Sequence, residues 1–336
     1  MSTPPPIVPV HGSDTDPEGM RRFDAWAQVF VASAIARFGQ EHDAWAADEL
    51  RAMEGNAARG RRRFAWLHDG EVIGGLDLIL PSRENTDLME CHLAVLPSWW
   101  GHGVEDELLS WAFEQARVEG RTRLTALTSW AEGQRDGEAA FWTRHGFTPA
   151  QFTLRSDLPL PMPPPMQVAP TLAPGYVLQS AVDGLPPDWH ADRALLSARM
   201  STDAPMGELA HEPEHWDAER VAAEIAQVTA MGRRSVETVA RHLESGQLVG
   251  FTHIEVSAGT PHRAYQHDTL VLREHRGHGL GLALKVANTV ALQENLPAVR
   301  YVRTWNAVEN EPILRVNREL GYAVTAHLCE WQRILR

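Results

Sequence analysis

The residues Arg276-Gly277-His278-Gly279-Leu280-Gly281 have the composition of an anion cradle. Glycine lets the backbone take positive φ and come close to a ligand. Successive N–H groups leading into a helix N-terminus then form a phosphate site. Arg276 adds a cation with bidentate reach. A pyrophosphate is the natural guest. No Gly-Lys-Ser/Thr ends the run, so it is not a Walker loop. Hairpin strands precede it in place of a first βαβ unit, which disfavours a dinucleotide fold.

The elements that must hold this loop occur twice. Leu93-Ala94-Val95-Leu96-Pro97-Ser98-Trp99-Trp100-Gly101-His102-Gly103-Val104-Glu105 parallels the stretch Leu270 to Gly281. Gly74 and Gly101 lie 27 positions apart, as do Gly250 and Gly277. Gly101 to Gly146 spans 45 positions and Gly277 to Gly321 spans 44. Matched punctuation at three places argues for duplication. Each half reads as helix, helix, three strands, glycine turn, helix, strand, helix, strand. In the second half, Ala191 to Ser201 and Asp217 to Met231 have helical spacing. Val236 to His242 and Leu248 to Val256 form a hairpin around Glu244-Ser245-Gly246. Thr269 to Arg273 and Val299 to Trp305 read as strands, and Leu280 to Glu294 as a helix. A short helix runs from Asn310 to Leu320, with Pro312 in its first turn and Gly321 at its stop.

At 336 residues, two domains are expected. The Pro-rich run from Leu158 to Pro165, continued by Pro170 and Pro174, places a linker over 158–174 between domains 1–157 and 175–336. With 43% hydrophobic and 22% charged residues, the chain has a globular composition. A net charge of −13 disfavours a nucleic-acid partner, whose phosphates need Lys and Arg. It suits a cationic substrate. No apolar run spans a bilayer, and Met1 to Pro6 lacks signal-peptide features. Cys91 and Cys329 alone build no disulfide framework, so a cytoplasmic location is expected. The histidines are scattered and give no metal-ligand spacing, so no metal is expected.

These residues carry a resemblance. Arg276, Gly279 and Gly281 fill the pattern Arg/Gln-x-x-Gly-x-Gly/Ala of the GNAT acetyltransferase family. Asn310, Ile313, Asn317, Gly321 and Tyr322 occupy the places of that family's later helix motif. With Thr304-Trp305-Asn306 before it, the chain resembles the tandem GNAT enzymes, of which mycothiol synthase is one example. The resemblance implies an α/β (α+β) fold of two tandem GNAT-like domains, each a mixed, mostly antiparallel sheet flanked by helices. It implies acetyl-CoA as co-substrate and a small-molecule amine as acceptor. The Val271 and Leu272 backbone would run beside the pantetheine, one N–H polarising the thioester carbonyl. Arg276, Gly277, His278, Gly279, Leu280 and Gly281 would hold the pyrophosphate. Asn306 and Asn310 would border the thiol end, with Asn310 equally suited to cap its helix.

Transfer to an amine needs a group that takes its proton. Asp268, just before the strand beside the thioester, and Glu255, on the preceding strand with His253 on the same face, are the candidates for base or amine recognition. Both also suit plain turn or solvated positions. Met200 and Asp203 lie in the stretch Met200 to Gly207, a region that shapes the acceptor pocket in the family; there Asp203 would meet a cationic amine, with a plain turn as the alternative. Asn317 stands where the family has a thiolate-protonating Tyr, and an amide cannot supply that proton as a phenol does. In the first half, Trp100 and Glu105 replace the motif cation and last glycine, while Arg135 and Trp142 replace the motif Asn and Tyr. That half therefore reads as a degenerate domain and the second as the catalytic one. A non-catalytic acyl-CoA-binding protein and an aminoacyl-tRNA-dependent transferase are the alternative functions. The acidic balance argues against the latter. The expected assembly is a monomer or a homodimer, away from membranes.

Overall fold

The computed structural model describes residues 6–55, 59–166, 171–203, 207–209 and 212–335. They divide into two units. One is the chain up to Gln151 together with the stretch from Leu328, and the other is Phe152–His327.

The first unit runs β1 (Ile7–Pro9), α1 (Pro17–Phe38), α2 (Ala47–Ala52), β2 (Arg59–His68), β3 (Glu71–Pro81), β4 (Leu88–Val95), α3 (Val104–Val118), β5 (Arg123–Ala131), α4 (Ala139–Arg144) and the start of β6 (Thr148–Pro159). Strands β1 to β4 pair antiparallel in sequence order, and β4 pairs parallel with β5. The second unit repeats this order after the rest of β6. It runs β7 (Tyr176–Val182), α5 (His190–Asp203), α6 (Ala218–Ala230), β8 (Arg234–His242), β9 (Leu248–Val256), β10 (Arg263–Val271), α7 (Leu280–Asn295), β11 (Tyr301–Ala307), α8 (Glu311–Leu320) and β12 (Ala323–Ile334). Residues from Leu328 onward in β12 belong to the first unit. Each unit is thus a mixed, mostly antiparallel sheet with helices, as expected. The leading strands β1 and β7 are additions to the sequence reading.

The matched glycines Gly74 and Gly250 have a packing reason. A Cβ on Gly74 would sit 2.8 Å from Leu108 of α3, and one on Gly250 would sit 2.9 Å from Leu270 O and 3.2 Å from Leu284 of α7. In each unit the helix after the glycine turn lies directly on the strand glycine.

The expected linker begins as structure. Leu158 and Pro159 pair with Val302 and Tyr301, and Leu160 N–H bonds Arg300 O at 2.7 Å. Strand alternation buries Leu158, Leu160 and Met162 and turns Pro159, Pro161 and Pro163 outward. A Pro-rich run is compatible with a strand end when the prolines take the solvent side. Pro170 lies outside the described residues.

The feature that positions the site is a split in the second unit's sheet. Strand β10 pairs with β11 only from Arg263↔Tyr301 to Gln266↔Thr304. Beyond that point β10 stays on β9 through Val271, while β11 stays on β6 through Ala307. The register slips between Gln266 and Thr269, so His267 and Asp268 face the single residue His253. Such a bulge bends its strand and re-aims side chains. Glu237, His253, Glu255 and Tyr265 lie on one face of this sheet by register, toward α5 and α6. Thr252, Ile254 and Gln266 lie on the other, toward α7.

Candidate active site

On the α7 side, the turn Arg276 to Gly281 has the shape its sequence predicts. Gly277 and Gly279 have φ of +82° and +73°, where L side chains are strained. A Cβ on Gly277, Gly279 or Gly281 would meet nothing within 4 Å. Gly279 caps α7 without any side-chain cap, so the first N–H groups of the helix have no side-chain partner there. Leu280 and Leu284 are buried and anchor the helix start. His278 is exposed, its Nδ1 is 3.2 Å from His275 O, and its ring lies 5.3 Å from Tyr176. Arg276 donates Nε–H to Val271 O at 3.0 Å and pairs with Asp203 at 2.7 Å. Asp203 also lies 3.3 Å from Arg273. Its carboxylate therefore rests on the two cations of the turn. Met200 packs against the core around Leu196 and Phe251.

The backbone of β10 distinguishes Val271 from Leu272. Leu272 N–H is spent on Val249 O at 2.9 Å. Alternation then turns the Val271 N–H away from β9, toward the edge left open by the split. Gln266, at the split and 3% exposed, has an Oε1 with no hydrogen-bond partner. An open cradle, an unspent N–H and an orphaned buried acceptor together fit a ligand that threads the split with its phosphates at α7.

On the opposite face a cavity of about 160 Å³ lies under α5 and α6. An ion cluster forms its floor. His253 Nε2 bonds Glu255 Oε1 at 3.1 Å, and its Nδ1 lies 3.0 Å from Glu237 Oε2 at an angle poor for a hydrogen bond. Arg193 pairs with Glu237 at 2.6 Å, and Arg233 with Glu255 at 2.9 Å. His267 Nε2 stands 3.5 Å from Glu255. Burial alone would lower the His253 pKa, but the close carboxylates of Glu237 and Glu255 overcome it and raise the pKa to about 9. Burial likewise opposes ionisation of Glu255 and Glu237, yet the neighbouring cations hold both below the usual carboxylate range. Both oxygens of Glu255 are engaged, which argues against a base role and for a fixed anion. Asp268 differs. It is exposed at the bulge, lines the cavity and has no ion-pair partner among the described residues.

Below the split a polar chain crosses from α7 to β11. Lys285 Nζ donates to Asn317 Oδ1 at 2.6 Å, and Asn317 Nδ2 donates to Asn306 Oδ1 at 2.7 Å. Asn310 precedes α8 but makes no side-chain cap bond, which leaves its amide for other partners. Gly321 closes α8 with φ of +91°.

Residues 26–147 match the model of the acetyltransferase (GNAT) family. The solved structure of a tandem GNAT protein from the clavulanic acid biosynthesis pathway, in a form without AcCoA, is similar with a TM-score of 0.83 at 25% identity. The match covers 98% of each chain. The chain has the tandem GNAT layout. A GCN5-related N-acetyltransferase from Sphaerobacter thermophilus shares the fold, with a TM-score of 0.69 at 20% identity over 100% of this chain and 98% of that one. No curated protein matches the sequence. As a GNAT-type acetyltransferase, the protein has acyl transfer as its general chemistry. No helix among the described residues is long and apolar enough to cross a membrane.

The family model matches the first GNAT unit, whose cradle is filled from within. Glu105 stands where Gly281 stands in the second unit and is only 3% exposed. Its Oε1 accepts the Gly101 N–H at 2.9 Å, while Oε2 is buried without a partner. A carboxylate thus occupies the loop that would otherwise receive an anion. Trp100, in the place of Arg276, packs against Phe141 at 5.7 Å between ring centres. Trp142, in the place of Asn317, is a core residue.

Sequence reasoning missed several groups. Glu224 lines the cavity beside Val221, Ile225 and Val228, and has no ion-pair partner among the described residues. An acid inside the apolar stripe of α6 is a legible signal. Glu237 and Arg193 are partners only through the fold. Lys285 is the single lysine among 31 basic residues, a signal visible in composition.

Proposed function

We propose that the second GNAT unit transfers the acetyl group of acetyl-CoA to the amine of a small cationic molecule. One observation carries this reading: an open anion cradle and an acidic cavity lie on opposite faces of the sheet and meet where β10 leaves β11. Acetyl-CoA, when bound, supplies the activated acyl group. The turn Arg276 to Gly281 holds its pyrophosphate, and Asn306 and Asn310 border the pantetheine. Arg276, half-exposed, turns from Asp203 toward a phosphate, while Asp203 keeps Arg273 as a partner. Val271 N–H stabilises negative charge developing on the thioester oxygen. Glu224 and Asp268 draw the ammonium group into the cavity, and Asp268 takes its proton directly or through water. The His253 cluster keeps the floor fixed.

Purified protein should release CoA thiol with a suitable member of an amine panel. Asp268→Asn should lower kcat/KM at least about 100-fold, the lower range for a lost general base. Tight CoA binding without release across a broad panel would show a non-catalytic acyl-CoA-binding protein instead.

A further inference from the structure

The cavity under α5 and α6 has two unlike sides. Its floor is ionic but closed on itself. Arg193 gives Nε–H to Glu237 at 2.6 Å, bonds Ser197 through Nη1, and lies 3.5 Å from the centre of the Phe251 ring. Arg233 is held by Glu255 at 2.9 Å and lies 5.5 Å from the Tyr265 ring. His253 sits between Glu237 and Glu255, and His267 turns Nε2 to Glu255 at 3.5 Å. Asp183 is closed on Arg234 at 2.6 Å. The opposite side is apolar. Val221, Ile225 and Val228 of α6 line it with Leu185 and the Trp216 ring. Thr229 gives its O–H back to Ile225 O at 3.0 Å. Two lining charges have no ion-pair partner among the described residues, and both are negative: Glu224 and Asp268.

This division defines the ligand that fits. Its body is hydrocarbon, because polar groups laid against the α6 side chains would give up water without replacement. Its charge is positive, to answer Asp268 and Glu224. It brings no carboxylate, because each basic residue lining the cavity already faces a glutamate of the floor, and Asp268 and Glu224 repel another anion. The volume of about 160 Å³ is close to that of a cavity that takes benzene, so the ligand has roughly six to ten non-hydrogen atoms. Resting on the acyl-transfer reading above, we propose that the acceptor is a compact alkyl- or arylalkylamine without a carboxylate, the class formed when an apolar amino acid is decarboxylated. Asp268 meets the reacting nitrogen at the bulge, the hydrocarbon body lies along Val221, Ile225 and Val228, and Glu224 keeps anions out. In the transfer the nitrogen bonds the acetyl carbon and the C–S bond breaks with its electron pair going to sulfur. The amine loses one proton and the sulfur gains one, so the products are an amide and CoA thiol.

Pairs of compounds that differ only by a carboxylate test this on the full chain: phenethylamine against phenylalanine, and isoamylamine against leucine, with glucosamine as a polyol. With acetyl-CoA present, kcat/KM for CoA-thiol release should be at least about 100-fold higher for the carboxylate-free member of each pair, and for both amines over glucosamine. Calorimetry without acetyl-CoA should rank the affinities in the same order. Glu224→Arg, at an exposed position of α6, supplies a cation for the carboxylate. It should narrow the ratio within each pair at least about tenfold, with unchanged thermal unfolding as the control. An amino acid or glucosamine that is bound and turned over as well as the amines, or a ratio that Glu224→Arg does not move, would overturn the proposal. Binding of the amines in the expected order without CoA release by any of them would instead overturn the acyl-transfer reading and leave the ligand class standing. Neither binding nor release with any of the amines would overturn both.

Discussion

Gly281→Glu should fold normally and lose acetyl-CoA binding by at least about 100-fold. The substitution places in the second unit the residue that the first unit already carries. Gly281 lies in the first turn of α7 with open space where its Cβ would go, so no clash or backbone strain is introduced. In the first unit Glu105 folds back to accept the Gly101 N–H. The same geometry at 281 would point a carboxylate at Gly277 N–H and spend the donor meant for phosphate. Losing one charge-assisted hydrogen bond costs about 1.5–3 kcal/mol, and repulsion between carboxylate and pyrophosphate adds to it. Each 1.4 kcal/mol is about tenfold in affinity. Calorimetry with unchanged thermal unfolding as the control reads the effect. Glu105→Gln should leave affinity within about twofold, because the first cradle is not the site.

Glu237→Leu should destabilise the second unit by about 3–5 kcal/mol, the cost of leaving a buried charge unpaired. It removes the partner of Arg193 and one of the two carboxylates around His253, with all three side chains less than one-fifth exposed. The pH dependence has a defined sign. His253 has a folded pKa of about 9 against an ordinary 6.5, so its contribution is complete below about 6.5 and is lost as pH rises through 9. Glu237 and Glu255 are depressed from 4.5, so theirs is present above that value and is lost as pH falls through their lower folded values. Urea midpoints of the unsubstituted protein should therefore fall between pH 6.5 and 9.5. In Glu237→Leu the fall should shrink, because one of the two carboxylates holding the His253 proton is gone. A midpoint equal to that of the unsubstituted protein would show that the cluster does not stabilise the second unit.

The glycine turns, the hairpins and the duplicated element order were legible because they rest on local rules: positive φ, alternation and helix period. The cradle was legible for the same reason. The positive φ of Gly277 and Gly279 in the turn Arg276 to Gly281, and the carboxylate of Glu105 in its counterpart, were both readable from residue type. The ion cluster was not, since Glu237, His253, Glu255, Arg193 and Arg233 come from α5, β8, β9 and the turn before β8 and meet only through strand register and helix packing. Alternation placed His253 and Glu255 on one face but could not show that their charges would be consumed by each other. Asp203 illustrates the same limit. It sits beside an acceptor-shaped loop in sequence, yet it reaches the cradle cations in space, because α5 ends over Arg273 and Arg276. The start of β10 at Arg263 was missed because the bulge at His267 and Asp268 interrupts the alternation that marks a strand.

An open second cradle and a first one filled by Glu105 call for one acyl-CoA site per chain, in the second unit. Calorimetric titration of the intact chain with acetyl-CoA tests it most directly. A single molecule should bind per chain, with affinity at least about 100-fold weaker in Gly281→Glu. Two molecules per chain, or one that survives Gly281→Glu, would contradict it.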